Sequence, residues 1–161
     1  MDPARRRGGT ILWAVAAGVL LLDRLTKLWA ERALGEPRDV IPGVLTLRLT
    51  TNSGGAFSLG NRAPLLFAAA AILVSAAIAI TSLRPRSRVH AVALGLILGG
   101  ALGNLLDRAL RGPGLSGGVI DFIDLHVWPV FNIADSAIVI GAALLALAAL
   151  REGAHRERGD A

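Results

Sequence analysis

Four long apolar runs constrain this chain more than any other feature: residues 10–30, 63–83, 89–106 and 131–150. A hydrocarbon core of ~30 Å takes about 20 helical residues to cross, and each run is near that length. Backbone N–H and C=O groups in lipid must be bonded internally, so runs of this kind are helical. The reading is an all-α membrane protein with four transmembrane helices, forming one membrane-embedded domain over residues 1–161. Composition agrees, with 53% hydrophobic residues and a mean hydropathy of +0.58, against roughly 45–50% apolar residues in soluble domains.

The formal charge of +5 could suggest a nucleic-acid partner. All but one of the 17 basic residues are Arg, however, and many flank the apolar runs. Membrane-flanking Arg is the better reading, and no nucleic acid is expected. Arg5, Arg6 and Arg7, then Arg84, Arg86 and Arg88, then Arg151, Arg156 and Arg158 all fall on one side of a four-span chain. By the positive-inside rule that side is cytoplasmic, with both termini. The connections 31–62 and 107–130 then face outward. The start resembles a signal peptide, but no small-x-small cleavage site follows, so the first run is expected as an uncleaved span. Trp29 and Trp128 are expected near the outer interface and Trp13 near the inner one. The absence of Cys removes disulfides and a thiolate nucleophile.

The first outward connection carries a strand signal. Leu45, Leu47 and Leu49 alternate with Thr46, Arg48 and Thr50, a period of two. Pro42-Gly43 before it and Asn52-Ser53-Gly54-Gly55 after it are turn signals. A small extracytoplasmic β-element is expected there. On the third run, Gly95, Gly99 and Gly103 form a small-xxx-small ridge suited to close helix packing.

Polar residues in these runs are costly in lipid and mark function. Asp23, Thr26 and Lys27 share one helix face, as do Asn104, Asp107 and Arg108. Asn132 and Asp135 share a face at the start of the fourth run, with Asp121 and Asp124 in the loop before it. At 1.5 Å per residue, Asp135 lies ~6 Å from the outer end of its span and Asp23 ~20 Å up a ~30 Å core. The intramembrane charges therefore gather at one surface, the outer one. The bland alternative is interfacial ion pairing, Asp23 with Lys27 or Asp107 with Arg108. It accounts for single residues better than for the whole cluster. Two carboxylates sharing a site cannot both ionise cheaply, so an acid and a base coexist near neutral pH. Such a pair can activate water against an amide carbonyl without a metal or a covalent intermediate.

Other candidates are weaker. Gly114-Leu115-Ser116-Gly117-Gly118 matches G-x-S-x-G, but a nucleophile elbow needs a strand–turn–helix in a sheet, and a glycine-rich loop is expected instead. Lys27, the only lysine, could form a dyad with Ser53 or Ser58, yet Asp23 beside it argues for a paired lysine. His90, His126 and His155 lack the spacing of a metal site, and no metal or cofactor is expected.

Five blocks in order resemble the lipoprotein signal peptidase (signal peptidase II) family of bacterial membrane aspartic proteases. They are Asp23-Arg24-Leu25-Thr26-Lys27; Asn52-Ser53-Gly54-Gly55-Ala56-Phe57-Ser58; Gly99-Gly100-Ala101-Leu102-Gly103-Asn104-Leu105-Leu106-Asp107-Arg108; Val119-Ile120-Asp121-Phe122; and Phe131-Asn132-Ile133-Ala134-Asp135. The resemblance covers nearly the whole chain. It implies a catalytic pair at Asp121 and Asp135, favouring Asp121 over Asp124, which the residues alone leave open. It implies Asp23, Lys27, Asn52, Gly54, Asn104, Asp107, Arg108 and Asn132 as substrate-binding or supporting residues. It further implies a diacylglyceryl-prolipoprotein substrate cut before its lipidated Cys, membrane lipid as surroundings, inhibition by globomycin-type cyclic peptides, and residence in the bacterial inner membrane. The rival reading is a small proton-coupled transporter or relay protein, although no internal repeat or midplane site is visible for it.

Overall fold

The computed structural model describes residues 3–53, 63–81 and 87–159. The apolar runs form four helices: α1 (Pro3–Ala33), α2 (Ala63–Thr81), α3 (Arg88–Arg111) and α4 (Ile133–Gly159). By length and composition, Arg88–Arg111 and Ile133–Gly153 are apolar enough to cross a membrane, while the apolar stretch Ala68–Ile80 of α2 is shorter. The protein is mostly helical, with a small sheet at one end.

Helix α3 is the hub and packs against the other three helices. The glycine ridge explains how it meets α1. A Cβ at Gly95 would sit 2.6 Å from the Leu12 carbonyl oxygen, and one at Gly99 2.6 Å from that of Ala16. Only the missing side chains let the two backbones come so close. Gly141 does the same between α4 and α3, where a Cβ would lie 2.7 Å from the Ala93 carbonyl oxygen. Leu12, Ala16, Ile78, Ala91 and Leu98 fill the core among α1, α2 and α3.

Helix α3 continues past residue 106 to Arg111, so Asp107 and Arg108 lie on the helix rather than in a connection. Helix α4 starts at Ile133 instead of residue 131 and runs on to Gly159. Asn132 is therefore just outside it.

The sheet is larger than the Leu/Thr alternation predicts. Strands β1 (Arg38–Ile41), β2 (Leu45–Asn52) and β3 (Val119–Asp124) form an antiparallel sheet in the order β1-β2-β3. Pro42 and Gly43 make the β1–β2 turn, with Gly43 at φ 75° and the Val44 N–H donating to the Ile41 carbonyl at 3.0 Å. A positive φ at the third turn position calls for glycine. The expected apolar face of β2 is only partly realised: Thr46 is buried and Leu49 is exposed. An irregularity in the β2–β3 pairing between Leu47 and Thr50 breaks the two-residue phase.

Strand β3 corrects the expectation of a loop around Asp121 and Asp124. It is buried along most of its length and so lacks an alternating signal. Phe122 packs with Ala30 of α1 and with Leu34 just after it, and meets Trp29 edge-on at 6.3 Å. Phe131 pairs with Ile123 through two N–H···O bonds, at 2.9 and 3.0 Å. The chain is thus held on both sides of Asp121 as it turns into α4.

Candidate active site

Lys27 lies at the bottom of the polar cluster. It is fully buried, and its Nζ meets Asp23 Oδ2 at 2.8 Å and Asp107 Oδ2 at 2.9 Å. A buried charge persists only when paired and hydrogen-bonded, and here one cation sits between two carboxylates. The Asp23–Lys27 pair follows from their i,i+4 spacing. Asp107, which the bland alternative paired with Arg108, meets Lys27. Arg24 and Arg111 stand at 3.6 and 3.7 Å from its other oxygen.

Both acids also tie down backbone. Asp23 Oδ1 accepts from the Ala134 N–H at 3.0 Å, in the first turn of α4. Asp107 Oδ2 accepts from the Ile120 N–H at 3.1 Å, next to Asp121. First-turn N–H groups have no partner within their helix, and a carboxylate there is favourable. The triad of Asp23, Lys27 and Asp107 therefore joins α1, α3, α4 and β3 at one point.

Lys27 also donates to Asn104 Oδ1 at 3.1 Å, and Asn104 Nδ2 donates to Asp135 Oδ1 at 2.8 Å. Asn132 Nδ2 donates to Asp121 Oδ1 at 2.6 Å and reaches Asn104 Oδ1 and the Ile120 carbonyl at 3.2 Å each. Asn132 is also the N-cap of α4: the Asp135 N–H donates to its Oδ1 at 2.9 Å, and its own N–H donates to Asp135 Oδ2 at 3.3 Å. This is a capping box, readable as N-x-x-D before an apolar run, a signal the shared-face reading missed. Asn52, at the end of β2, bonds to the Asp121 carboxyl. Arg108 NH1 donates to the Gly117 carbonyl at 3.0 Å, and the guanidinium lies within electrostatic reach of Asp121, Asp107 and Asp135.

Asp121 is 1% exposed. Burial, followed by the charge of Asp135, pushes its carboxyl up to about 6, against the bonds from Asn52 and Asn132 and the charge of Lys27. Asp124, three residues on, differs in environment. Its carboxylate takes Arg48 Nε at 2.5 Å and the His126 N–H at 2.8 Å, and these bonds hold it below its ordinary value.

Two cavities flank the carboxyl pair. One of about 270 Å³ runs between α2, α3 and α4, with Ala70, Val74 and Ile97 in its apolar wall and Asn104, Arg108 and Asp135 at its polar end. The other, about 280 Å³, lies beside the sheet, lined by Thr50, Thr51, Asn52, Ser53 and Asp121 with Pro129 and Val130. Asn132 stands between the two acids.

Of the residues singled out from sequence, Asp23, Lys27, Asn52, Asn104, Asp107, Arg108, Asp121, Asn132 and Asp135 converge here, and Gly54 and Ser58 lie outside the described residues. Ser116 Oγ donates to the Pro113 carbonyl at 2.7 Å within a turn, unlike a nucleophile elbow. Lys27 is taken up by acids and an amide, which leaves it no part in a Ser/Lys dyad with the exposed Ser53. His126 contacts Thr46 Oγ1 at 2.9 Å, and His90 contacts Ser87 Oγ at 2.9 Å at the start of α3.

Comparison with known proteins gives concordant matches. The profile of the signal peptidase (SPase) II family matches residues 15–151. The lipoprotein signal peptidase of Syntrophomonas wolfei is 44% identical over 149 residues, covering 91% of this chain and 97% of that one. That of Rhodococcus jostii is 41% identical over 152 residues, covering 92% and 77%. A bacterial membrane enzyme solved by the in meso method at 2.3 Å superposes with a TM-score of 0.77 at 30% identity, covering 91% of each chain. With most of its length matched in sequence and in fold, the chain belongs to the signal peptidase II family of proteases.

Proposed function

We propose that this protein is an aspartic endopeptidase in which Asp121 and Asp135 share a proton and a water, and that it cuts diacylglyceryl-prolipoproteins just before the lipidated Cys. The observation that carries the reading is the bridging of the two acids by one residue, whose side-chain amide donates to Asp121 and whose backbone N–H donates to Asp135. Asn132 bonds to both carboxyl groups, which come from different elements and open onto different cavities. Asp121, buried and pushed up to about 6, is the member that keeps the proton.

In this mechanism the Asp135 carboxylate takes a proton from water as the oxygen attacks the scissile carbonyl carbon. Asp121 gives its proton to the carbonyl oxygen, and a gem-diol forms. Asp135 then passes its proton to the leaving amide nitrogen while Asp121 recovers one from a gem-diol hydroxyl. The C–N bond breaks to a carboxylic acid and an amine. The apolar cavity between α2, α3 and α4 suits the acyl chains, and the cavity beside β2 suits the peptide. Holding both ends brings the bond to the dyad.

The four helices are read as four spans in the bacterial cytoplasmic membrane, with both termini cytoplasmic and the site facing outward. Arg5, Arg6, Arg7, Arg84, Arg86 and Arg88 support that orientation. Globomycin-type cyclic peptides are expected to inhibit. The family match does not favour the transporter reading. The test is cleavage of lipidated and unlipidated precursor by purified Asp121→Asn and Asp135→Asn. Loss of cleavage in both, with the wild type acting on the lipidated precursor, is expected. Full cleavage by either folded variant rejects the dyad.

A further inference from the structure

The Thr46 hydroxyl ties together two strands and the loop that follows the third. Thr46 of β2 is buried, and its Oγ1 lies 2.6 Å from Asp39 Oδ1 of β1 and 2.9 Å from His126 Nε2, just past β3. A hydroxyl has one proton and a carboxylate can only accept, so that proton goes to Asp39. His126 Nε2 is then the donor to Thr46. Nε2 carries a proton in this tautomer and in the imidazolium alike, so the link holds in either charge state.

The backbone of His126 is fixed as well. Its φ of 61° is uncommon for any residue but glycine and persists only where the surroundings impose it. Here Asp124 Oδ1 accepts the His126 N–H at 2.8 Å in an Asx turn, and the same carboxyl takes Arg48 Nε of β2. Beyond His126 the chain returns to the sheet at Phe131, which bonds to Ile123. Val127 and Trp128 in between are exposed, while Pro129 and Val130 line the cavity beside β2 together with Asn52 and Asp121. That wall hangs between two anchors, His126 and Phe131. Without the ring contact, only the Asx turn holds its near end.

We propose that His126 is a positioning residue: its ring, fastened to Thr46, sets the 127–130 segment so that Pro129 and Val130 wall the cavity in which the substrate peptide lies beside Asp121. The inference rests on the dyad reading and on the assignment of that cavity to the peptide. The His126 side chain meets Thr46 and Asp124, which line neither cavity, so it acts on substrate through the loop.

The test is steady-state cleavage of a diacylglyceryl-modified precursor by enzyme reconstituted in lipid. His126→Gly removes the ring and suits the positive φ. Thr46→Val removes the acceptor from the other side, and the exposed Asp39 falls back on water. In each, KM is expected to rise by about 3- to 10-fold, the worth of one lost hydrogen bond. A kcat within about threefold marks lost binding rather than lost chemistry. The double variant should be no worse than either single one, because both break the same contact. Thr46→Ser keeps the hydroxyl and should restore KM. A purely structural link predicts a lower thermal midpoint with KM unmoved. That result in the folded His126→Gly and Thr46→Val variants overturns the proposal, as do additive effects on KM. Inactive Asp121→Asn and Asp135→Asn alongside an unmoved KM would reject the loop anchor alone. Active Asp variants would reject the dyad itself.

Discussion

Asn132 and Asp135 cap each other at the start of α4, the N–H of each bonding to the other's side chain at 3.3 and 2.9 Å. The same Asn132 side chain holds Asp121 at 2.6 Å. One residue thus closes a helix end and spaces two carboxyl groups. These tasks are separable by substitution. Asn132→Ala should cost about 1 kcal/mol of stability through the lost cap. Asn132→Ser keeps a capping oxygen and should recover most of that in thermal unfolding. Neither variant keeps the amide N–H on Asp121, so cleavage should fall by about 10- to 100-fold in both.

The buried Asp121 carboxyl, pushed up to about 6, makes a pH prediction with a definite sign. The folded state holds this proton more tightly than the unfolded chain, whose Asp titrates near ~3.9. The stability it contributes is complete below ~3.9 and is lost as pH rises through about 6. Asp121→Asn cannot ionise, so it should be more stable than the wild type at pH 7 by about 1–3 kcal/mol. The difference should vanish in unfolding curves below pH ~4. Cleavage by the wild type needs the protonated form, so kcat/KM should decline as pH rises past about 6.

Asp124 should behave in the opposite way. Its carboxylate is held low by Arg48 and the His126 N–H. The stability from that pairing is present above the unfolded value and is lost as pH falls through the folded one. Asp124→Asn should keep cleavage within about threefold of wild type, since it touches neither the dyad nor the cavities described. It should lower stability at neutral pH, with the gap closing in acid. Cleavage lost in Asp124→Asn but kept in Asp121→Asn would exchange the two assignments.

The α1–α3 contact depends on the ridge of Gly95, Gly99 and Gly103. A Cβ at Gly99 would lie 2.6 Å from the Ala16 carbonyl oxygen, a backbone atom that can yield only if the helices separate. Gly99→Ala should cost about 1–3 kcal/mol and lower the thermal midpoint. Gly18 in α1 has nothing within 4 Å of the same position. Gly18→Ala should instead gain about 0.5–1 kcal/mol from the better helix former.

Much of this protein is legible from residues a few positions apart. Apolar runs of helical length give α1 to α4, because burying them and bonding their backbone needs little but the runs themselves. Asp23 and Lys27 meet because an i,i+4 pair shares a helix face, and Pro42-Gly43 before the Leu/Thr alternation marks a turn into β2. The N-x-x-D box at Asn132 is equally local. Strand β3 was not legible, since a strand buried on both faces shows no period, and its pairing with β2 depends on the path of the chain between them.

Local pattern is enough for the helices, a small β-element and the set of polar residues in or beside apolar runs. Which members of that set meet across elements is settled by the tertiary structure. Asp107 bonds to Lys27 on another helix, and Asp23 caps a helix 111 residues away at Ala134. Asn104 and Asn132 link Lys27 to Asp135 and Asp121. Helical spacing settles which face a side chain lies on. Which groups meet across that face follows from how close the glycines let the helices come, and from the need of each buried charge and first-turn N–H for a partner.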